Sequence, residues 1–560
     1  MAETTNNQQL TTNHQQPKTN NQQLTTKNQE QPTTNNQQPP TNNHQPPTNL
    51  LIKLLASFTS ISLLVILLGI NRGFDFTDEG LYVLLADPNQ QNLGGVFNYD
   101  LFFKLFYQLT GIQFGIVGLR ILRLLSYFAG AFGLVAFWRN LYQTQELSTP
   151  VFILCLAGLF AAYGFLPPTL SYNSISVVAV CFWLAIVSKN TLHPNDWFML
   201  GLIFLILFYT KITVCLALGL LTFSYFLLKK SVNIAKFALL LLPFLLFEGL
   251  FYFLFQENAL TRLFGEYGFL QQREDYTLAL LLKYTAVGGF WILLAGLLFL
   301  VASKVNKLGF KFYGFVLILA LISLSLVFYF TFITAEWSHI VLLITFAGIC
   351  WQLGELNRKD FKSQELFFVA VLLLIPFFLH FGSNVYWMRL GIHYWVFWLL
   401  AFAILIQKKR IIFQSRYYAV ASFTSLVLVI FGIWLTPFEG AYLWDATEKW
   451  EYQPGKQISL SQRQIEFLSI IDSELEKSKP SKIISLYSNP GILFLLGKNS
   501  LYSPGYWKPS QVRLLLESGS EVDMMLFNEL DEFPFEPSEW ATQKELIQPN
   551  GEKLLILWRK

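Results

Sequence analysis

Three carboxylates fall within five residues in the stretch Gly73-Phe74-Asp75-Phe76-Thr77-Asp78-Glu79-Gly80-Leu81-Tyr82, directly after a long apolar run. A carboxylate can take a proton from an attacking hydroxyl, and beside a membrane segment it is costly unless it lines a hydrated cavity. Asp78, with Asp75 as substitute and Glu79 as an orienting group, is therefore a candidate general base. The plainer alternative has Thr77 or Asp78 capping a short helix through Leu81 to Ala86, with Glu79 near its positive end. Both readings stay open.

Cations able to face an anionic ligand are few. Lys211 lies in the very short turn Tyr209-Thr210-Lys211, which places it at the membrane surface; Arg120 and Arg123 lie one helical turn apart near the end of an apolar run. Paired guanidinium groups can clamp a phosphate bidentately, while Lys supplies a point charge. Arg389 is a further candidate, and for all four the alternative is a side chain reaching toward lipid head groups. Glu336 and His339 are one turn apart and, with His380 and His393, form a weak candidate cluster for a divalent metal or an acceptor; interfacial His bonded to backbone is the alternative. Tyr172, Asn173, Ser383, Asn384 and Tyr386 sit in short turns and suit sugar hydroxyls or ordinary turn chemistry.

What must position these residues is a membrane fold. The 560 residues are 53% hydrophobic and only 14% charged, against roughly 45–50% and roughly 25% in a soluble domain. That deficit excludes one large soluble enzyme, and a net charge of +4 scattered through apolar runs argues against nucleic acid as partner. Four cysteines, Cys155, Cys181, Cys215 and Cys350, lie inside apolar runs and form no disulfide framework. Residues 1–49 are a Thr/Asn/Gln/Pro tract in which TNNQQ recurs, expected to be a disordered cytoplasmic tail because so little apolar surface cannot offset ordering entropy.

Leu50 to Ile70 reads as the first membrane helix, and twelve more apolar stretches centre near residues 125, 158, 180, 203, 220, 246, 290, 323, 345, 372, 400 and 427. About thirteen spans are expected over residues 50–437, with the first extracytoplasmic loop at 71–111. Charge placement supports the order. With the N-terminus cytoplasmic, inner connections hold Lys229, Lys230, Lys236, Lys304, Lys307, Lys311, Arg358, Lys359, Lys362, Lys408, Lys409, Arg410 and Arg416. The opposite connections hold Asp75, Asp78, Glu79, Asp87, Asp100, Glu257, Glu266, Glu274, Asp275 and Glu336. Residues 438–560 turn ordinary in composition, with an apolar run at 482–487, a turn at Asn489-Pro490-Gly491, a helix at 492–496 and later runs at 522–527 and 553–558 read as strands; a small extracytoplasmic α/β domain is expected.

Within the first loop, Asn98 to Leu109 reads as an amphipathic interfacial helix, with Asp100, Lys104 and Gln108 at four-residue spacing and phenylalanines around them. Such a loop holds acids against the membrane surface, which suits a substrate whose head group reacts there while its tail stays in lipid.

The Asp78-Glu79-Gly80-Leu81-Tyr82 stretch, the Pro167-Pro168-Thr169-Leu170-Ser171-Tyr172-Asn173 and Gly382-Ser383-Asn384 turns, and Pro490-Gly491 with Ser503-Pro504-Gly505-Tyr506 together resemble the GT-C fold of polyprenyl-phosphate-dependent glycosyltransferases. The likeness is to bacterial relatives of protein O-mannosyltransferases and the lipid A aminoarabinose transferase. It implies inverting sugar transfer from a polyprenyl-phosphate donor in the plasma (inner) membrane, with Asp78 as base and no covalent intermediate; it names no certain cofactor and leaves a divalent metal open. Sugar and acceptor, whether protein, lipid or polysaccharide, are not identified. Competing classes are a lipid-linked sugar flippase or transporter, which calls for paired mid-span charges where only Glu248 stands out, and a non-catalytic envelope scaffold.

Overall fold

The computed structural model describes residues 48–560 except 95–96, 166, 230–232, 272–276, 358, 360, 410, 436–441, 487–488 and 529–538. The expected disordered tract, apart from Thr48 and Asn49, lies outside the described residues, as do Lys230, Glu274, Asp275, Arg358, Arg410 and the boundary near 437.

The chain is a helical membrane protein. Its helices are α1 (Thr48–Gly69), α2 (Asp78–Leu85), α3 (Asp100–Thr110), α4 (Gly115–Tyr142), α5 (Thr149–Phe160), α6 (Tyr172–Val187), α7 (Pro194–Thr210), α8 (Ile212–Leu228), α9 (Ile234–Phe255) and α10 (Ala259–Phe264). There follow α11 (Leu278–Lys307), α12 (Tyr313–Ala335), α13 (Ile340–Glu355), α14 (Ser363–His380), α15 (Trp387–Leu390), α16 (Trp395–Ile406) and α17 (Ile411–Ile430). Among the described residues, nine helices are long and apolar enough to cross a bilayer. Each expected centre falls within a helix, yet α5 to α8 have 12, 16, 17 and 17 residues. At 1.5 Å per residue they reach roughly 18–26 Å, short of a core about 30 Å thick. Local chemistry cuts them: Pro150 and Pro194 start α5 and α7, Ser171 and Ser174 cap α6 reciprocally, and Lys211 alone separates α7 from α8.

Contacts among connections fall into two groups. At the acidic end, the Asn98 amide donates to Tyr209 O at 2.9 Å, Arg262 pairs with Asp100 at 2.6 Å, and Arg389 pairs with Glu336 at 2.9 Å. At the other, Lys409 pairs with Glu355 at 2.6 Å and Lys307 donates to Leu356 O at 2.9 Å. Helix α16 is buried along its whole length, so the bundle closes around it.

Beyond residue 443 the chain forms a hairpin of β1 (Glu448–Gln453) and β2 (Lys456–Leu460), helix α18 (Gln462–Ser478), and a four-stranded sheet. The sheet contains β3 (Ile483–Ser485), β4 (Met524–Asn528), β5 (Trp540–Ile547) and β6 (Lys553–Arg559), with α19 (Pro490–Leu495) and α20 (Pro509–Glu517) between β3 and β4. Strand order is β3-β4-β6-β5; β3 and β4 are parallel and the other pairs antiparallel, with Met524 opposite Trp558. Asn489-Pro490-Gly491 starts helix α19 instead of making an isolated turn, because Pro fits the first helical position, where its missing N–H has no partner to lose. Strand β5, the hairpin and α18 were not legible beforehand: their Lys, Glu and Gln content masks the apolar face, which in α18 is Phe467, Leu468, Ile471 and Leu475.

This segment shares a core with the acidic loop. Phe74, Phe76, Val83 and Leu84 pack with Ile116 and Leu119 of α4 and with Leu460, Phe467, Leu468, Ile492 and Phe494. Each fully buried Phe is worth about 1.5–3 kcal/mol relative to exposure.

Candidate functional site

Backbone pairing positions the loop. The Gly73 amide donates to Ser459 O at 2.8 Å, Ser459 N to Asn71 O at 2.9 Å, Gln464 Nε2 to Phe74 O at 3.1 Å, and Gly491 N to Phe76 O at 2.8 Å. Gly80 of α2 abuts α19 so closely that a Cβ there would lie 2.3 Å from Gly491 N. The C-terminal segment thus sets where the Asp78 helix begins.

Asp75, not Thr77 or Asp78, caps that helix. Its carboxylate accepts from Thr77 N at 2.9 Å and Thr77 Oγ1 at 2.5 Å on one oxygen, and from Asp78 N at 3.0 Å and Glu79 N at 3.2 Å on the other. Asp75 N donates back to Glu79 Oε2 at 3.3 Å. Burial pushes the Asp75 carboxyl above its ordinary value, against the lowering effect of Thr77. Its oxygens are occupied by α2 amides, which is the work of a cap and leaves it poorly placed as a substitute base.

Glu79 is buried in a knot with Arg120. Arg120 donates Nε and Nη2 to the two carboxylate oxygens at 2.8 Å each, and its remaining N–H groups go to Ile70 O, Arg72 O and Gly73 O at 2.7–3.0 Å. Thr169 Oγ1 also donates to Glu79. Arg123 is similarly committed: Nη1 to Pro167 O at 2.5 Å, Nη2 to Ala162 O at 3.2 Å, and Nε to Tyr127 OH at 3.1 Å. The expected phosphate clamp from Arg120 and Arg123 is therefore corrected: both are buried, with their donors spent on the fold.

Asp78 is half-buried in the first turn of α2. Tyr82, one turn on, and Tyr99 lie within its field; burial above all holds both phenols well above their ordinary range, reinforced at Tyr82 by Asp78 and at Tyr99 by Asp100 and then Asp78, so they stay protonated donors. Tyr82 meets the edge of Tyr172, ring centroids 6.0 Å apart, and Tyr172 stacks on Phe97 at 4.4 Å. On the same Tyr172 ring lies Lys211 Nζ, 5.5 Å from the centroid. Lys211 is not in a surface turn as expected; it is 7% exposed, because α7 and α8 meet with one residue between them and fold it inward. Among the described residues its ammonium makes one hydrogen bond, to Leu379 O at 2.6 Å, leaving two of three donors unspent. Tyr394 OH donates to the same carbonyl at 3.3 Å and to Asn173 Oδ1 at 3.4 Å. His380 and His393, buried on neighbouring segments, are close enough to feel the Lys211 charge, and the Nδ1 atoms of both lack a hydrogen-bond partner among the described residues.

The expected metal cluster is not assembled: no group of three or more His, Cys, Asp or Glu suited to a metal occurs among the described residues. His339 uses its ring on Thr331 Oγ1 at 2.7 Å and on Glu336 O, the Glu336 carboxylate goes to Arg389, and His393 faces the Phe165 ring. Arg389 is exposed beside Glu336 and lies over Phe165, apart from Tyr172 and Lys211 in its contacts. Ser383 Oγ accepts from Val385 N at 3.3 Å, ordinary turn chemistry, and Asn384 is likewise engaged. Glu248 accepts from Tyr209 OH at 2.5 Å, in the last turn of α7. Helix α3 is amphipathic as expected, yet Asp100 turns inward to a bidentate pair with Arg262. Sequence reasoning passed over Tyr99 and Tyr394; Tyr394 sits in an apolar run with no signal, whereas Tyr99 opens the amphipathic segment and was recoverable.

No family model matches the chain, and no curated protein resembles it closely enough to count as a match.

Proposed function

We propose that this protein is a membrane glycosyltransferase of GT-C type that moves a sugar from a polyprenyl-phosphate donor to an acceptor hydroxyl. The observation that carries this reading is that the Asp78 helix and Lys211 converge on one aromatic ring, Tyr172. A base on one side and a buried cation with spare donors on the other match the two needs of the reaction. As the acceptor oxygen attacks the anomeric carbon, Asp78 takes its proton; the carbon–oxygen bond to phosphate breaks, and the leaving polyprenyl phosphate keeps the electron pair. Negative charge grows on that phosphate, where the Lys211 ammonium stabilises it. One displacement inverts the anomeric centre. A carboxylate of ordinary basicity cannot ionise an alcohol beforehand, so proton removal accompanies attack.

The same reading has α5 to α8 crossing the membrane with the nine longer helices, thirteen spans in all, short helices being tolerated by local bilayer thinning. It places the acidic end and a C-terminal α/β domain of residues 438–560 outside a plasma membrane, with the N-terminus in the cytoplasm. Reconstituted protein supplied with labelled polyprenyl-phosphate sugars tests the activity. Turnover that survives unchanged in Asp78→Asn would falsify the assignment of the base, and no transfer from any donor by wild type, with acceptor extract present, would sink the reaction class.

A further inference from the structure

A second site lies around Glu336, at the junction of α12 with the turn that starts α13. Glu336 adopts φ 61° and ψ 176°, a conformation that non-glycine residues rarely hold and that costs strain. Nearby, residues Phe431–Leu435 form a π-helical turn, itself a departure from regular helix that recurs where proteins bind ligands. Between these two irregularities is a cavity of about 590 Å³ lined by Phe165, Phe332, Glu336, Trp337 and Arg389, with Gly164 and Gly432 also on its wall. A Cβ on Gly432 would lie 2.2 Å from Tyr163 O, so bulk is excluded from that wall.

The charges in this cavity are half used. Arg389 Nε donates to Glu336 Oε1 at 2.9 Å, and among the described residues neither side chain makes another hydrogen bond. Both remain 48% exposed. Two guanidinium nitrogens and one carboxylate oxygen therefore stay available, opposite in sign and a few ångströms apart. Arg389 lies 5.5 Å over Phe165, and Ile333 at the rim is 92% exposed, as a lipid-facing residue would be.

We propose that this cavity binds the zwitterionic head group of a membrane phospholipid, its phosphate on Arg389 and its ammonium on Glu336. An ion pair with donors and an acceptor left over matches a ligand that carries the reverse pair of charges at similar spacing. A phosphoethanolamine head group has that pair, and the faces of Trp337, Phe165 and Phe332 suit its cation. A simple anion would engage the spare nitrogens of Arg389 but not the second Glu336 oxygen, and a neutral glycerolipid would bring a charge to neither. This proposal does not depend on the glycosyl-transfer reading.

Native mass spectrometry of the delipidated full chain with short-chain phosphatidylethanolamine, phosphatidylglycerol and diacylglycerol tests it. Wild type is expected to retain phosphatidylethanolamine about tenfold over either competitor, as one charge-assisted hydrogen bond allows. Glu336→Gln should erase the difference between the two phospholipids, and Arg389→Met the difference between phosphatidylglycerol and diacylglycerol while weakening phosphatidylethanolamine retention. Glu336→Gly relieves the backbone strain, so it should lose selectivity while melting no lower than wild type; this separates lost binding from lost fold. Asp78→Asn should keep full selectivity. Equal retention of all three lipids by wild type, or selectivity unchanged in both Glu336→Gln and Arg389→Met, overturns the proposal. Displacement of the lipid by equimolar soluble glycerophosphoethanolamine also overturns it, reassigning the cavity to a free phosphodiester.

Discussion

Two buried charges stand within a few helices of each other and differ in one respect. Arg120 spends all of its N–H groups, on Glu79 and three backbone carbonyls, whereas Lys211 spends one donor of three on Leu379 O. Desolvating a charge costs several kcal/mol, and the fold recovers that cost at Arg120 through a complete set of partners. At Lys211 the recovery is incomplete. A buried cation with spare donors destabilises the protein by itself, so a ligand that completes its shell is the economical explanation. The neighbouring carboxylates differ in surroundings: Asp75 and Glu79 are taken up by amides and by Arg120, while the Asp78 charge is felt by the buried phenols of Tyr82 and Tyr99.

Breaking the closed knot should give the largest effect. Arg120→Met leaves Glu79 charged and buried, and a loss of about 3–5 kcal/mol is expected. It should appear as a large fall in the melting temperature of detergent-solubilised protein, and Glu79→Leu combined with Arg120→Met should recover much of it. If the single substitution melts like wild type, the knot is not structural.

Next comes Asp78→Asn, on activity alone. A drop of about 10²–10⁴-fold in sugar transfer is expected with the melting temperature unchanged. A parallel fall in both would place Asp78 with Glu79 as a structural group.

Lys211→Met tests the other side of the comparison with the opposite sign on stability. Removing an underused buried ammonium should hold or raise the melting temperature, while donor affinity falls by roughly 10–100-fold, the worth of about 1.5–3 kcal/mol for hydrogen bonds to a charge. Titration with polyprenyl phosphate reads the second quantity. Unchanged affinity would return Lys211 to the structural class.

Gly80→Ala probes the platform beneath both. A Cβ there meets the Gly491 backbone, and about 1–3 kcal/mol of overpacking should shift α2, lowering transfer and stability together. The smallest effect belongs to Asp75→Ala, about 1 kcal/mol for loss of a cap, with Asp75→Asn milder because its side-chain oxygen still accepts. Thermal melts of the two side by side check the order.

How far these features were legible follows from what kind of interaction makes each. The twelve apolar centres all became helices, because burying a run of such residues in lipid requires internal hydrogen bonds whatever the neighbours do. The connections likewise contact one another within two separate groups. By contrast, nothing near Asp75 in sequence separates it from Asp78: which one caps is set by the entry angle of the chain, fixed by Ser459, Gln464 and Gly491 almost 400 residues later. Arg120 and Arg123 looked like ligands for the same reason. Besides Glu79 and Tyr127, their partners are carbonyls on other segments, and a carbonyl has no sequence signature.

Composition and charge order alone pointed to a chain that lives in a bilayer and to which of its connections group together. Hydrophobicity and charge are properties of side chains and add up along the sequence. Tertiary structure alone decided which of the scarce charges are satisfied. Satisfaction depends on distances of about 3 Å between segments remote in the chain, and those distances separate Glu79 and Arg120, which hold the fold, from Lys211, which lies over the Tyr172 ring with one hydrogen bond among the described residues.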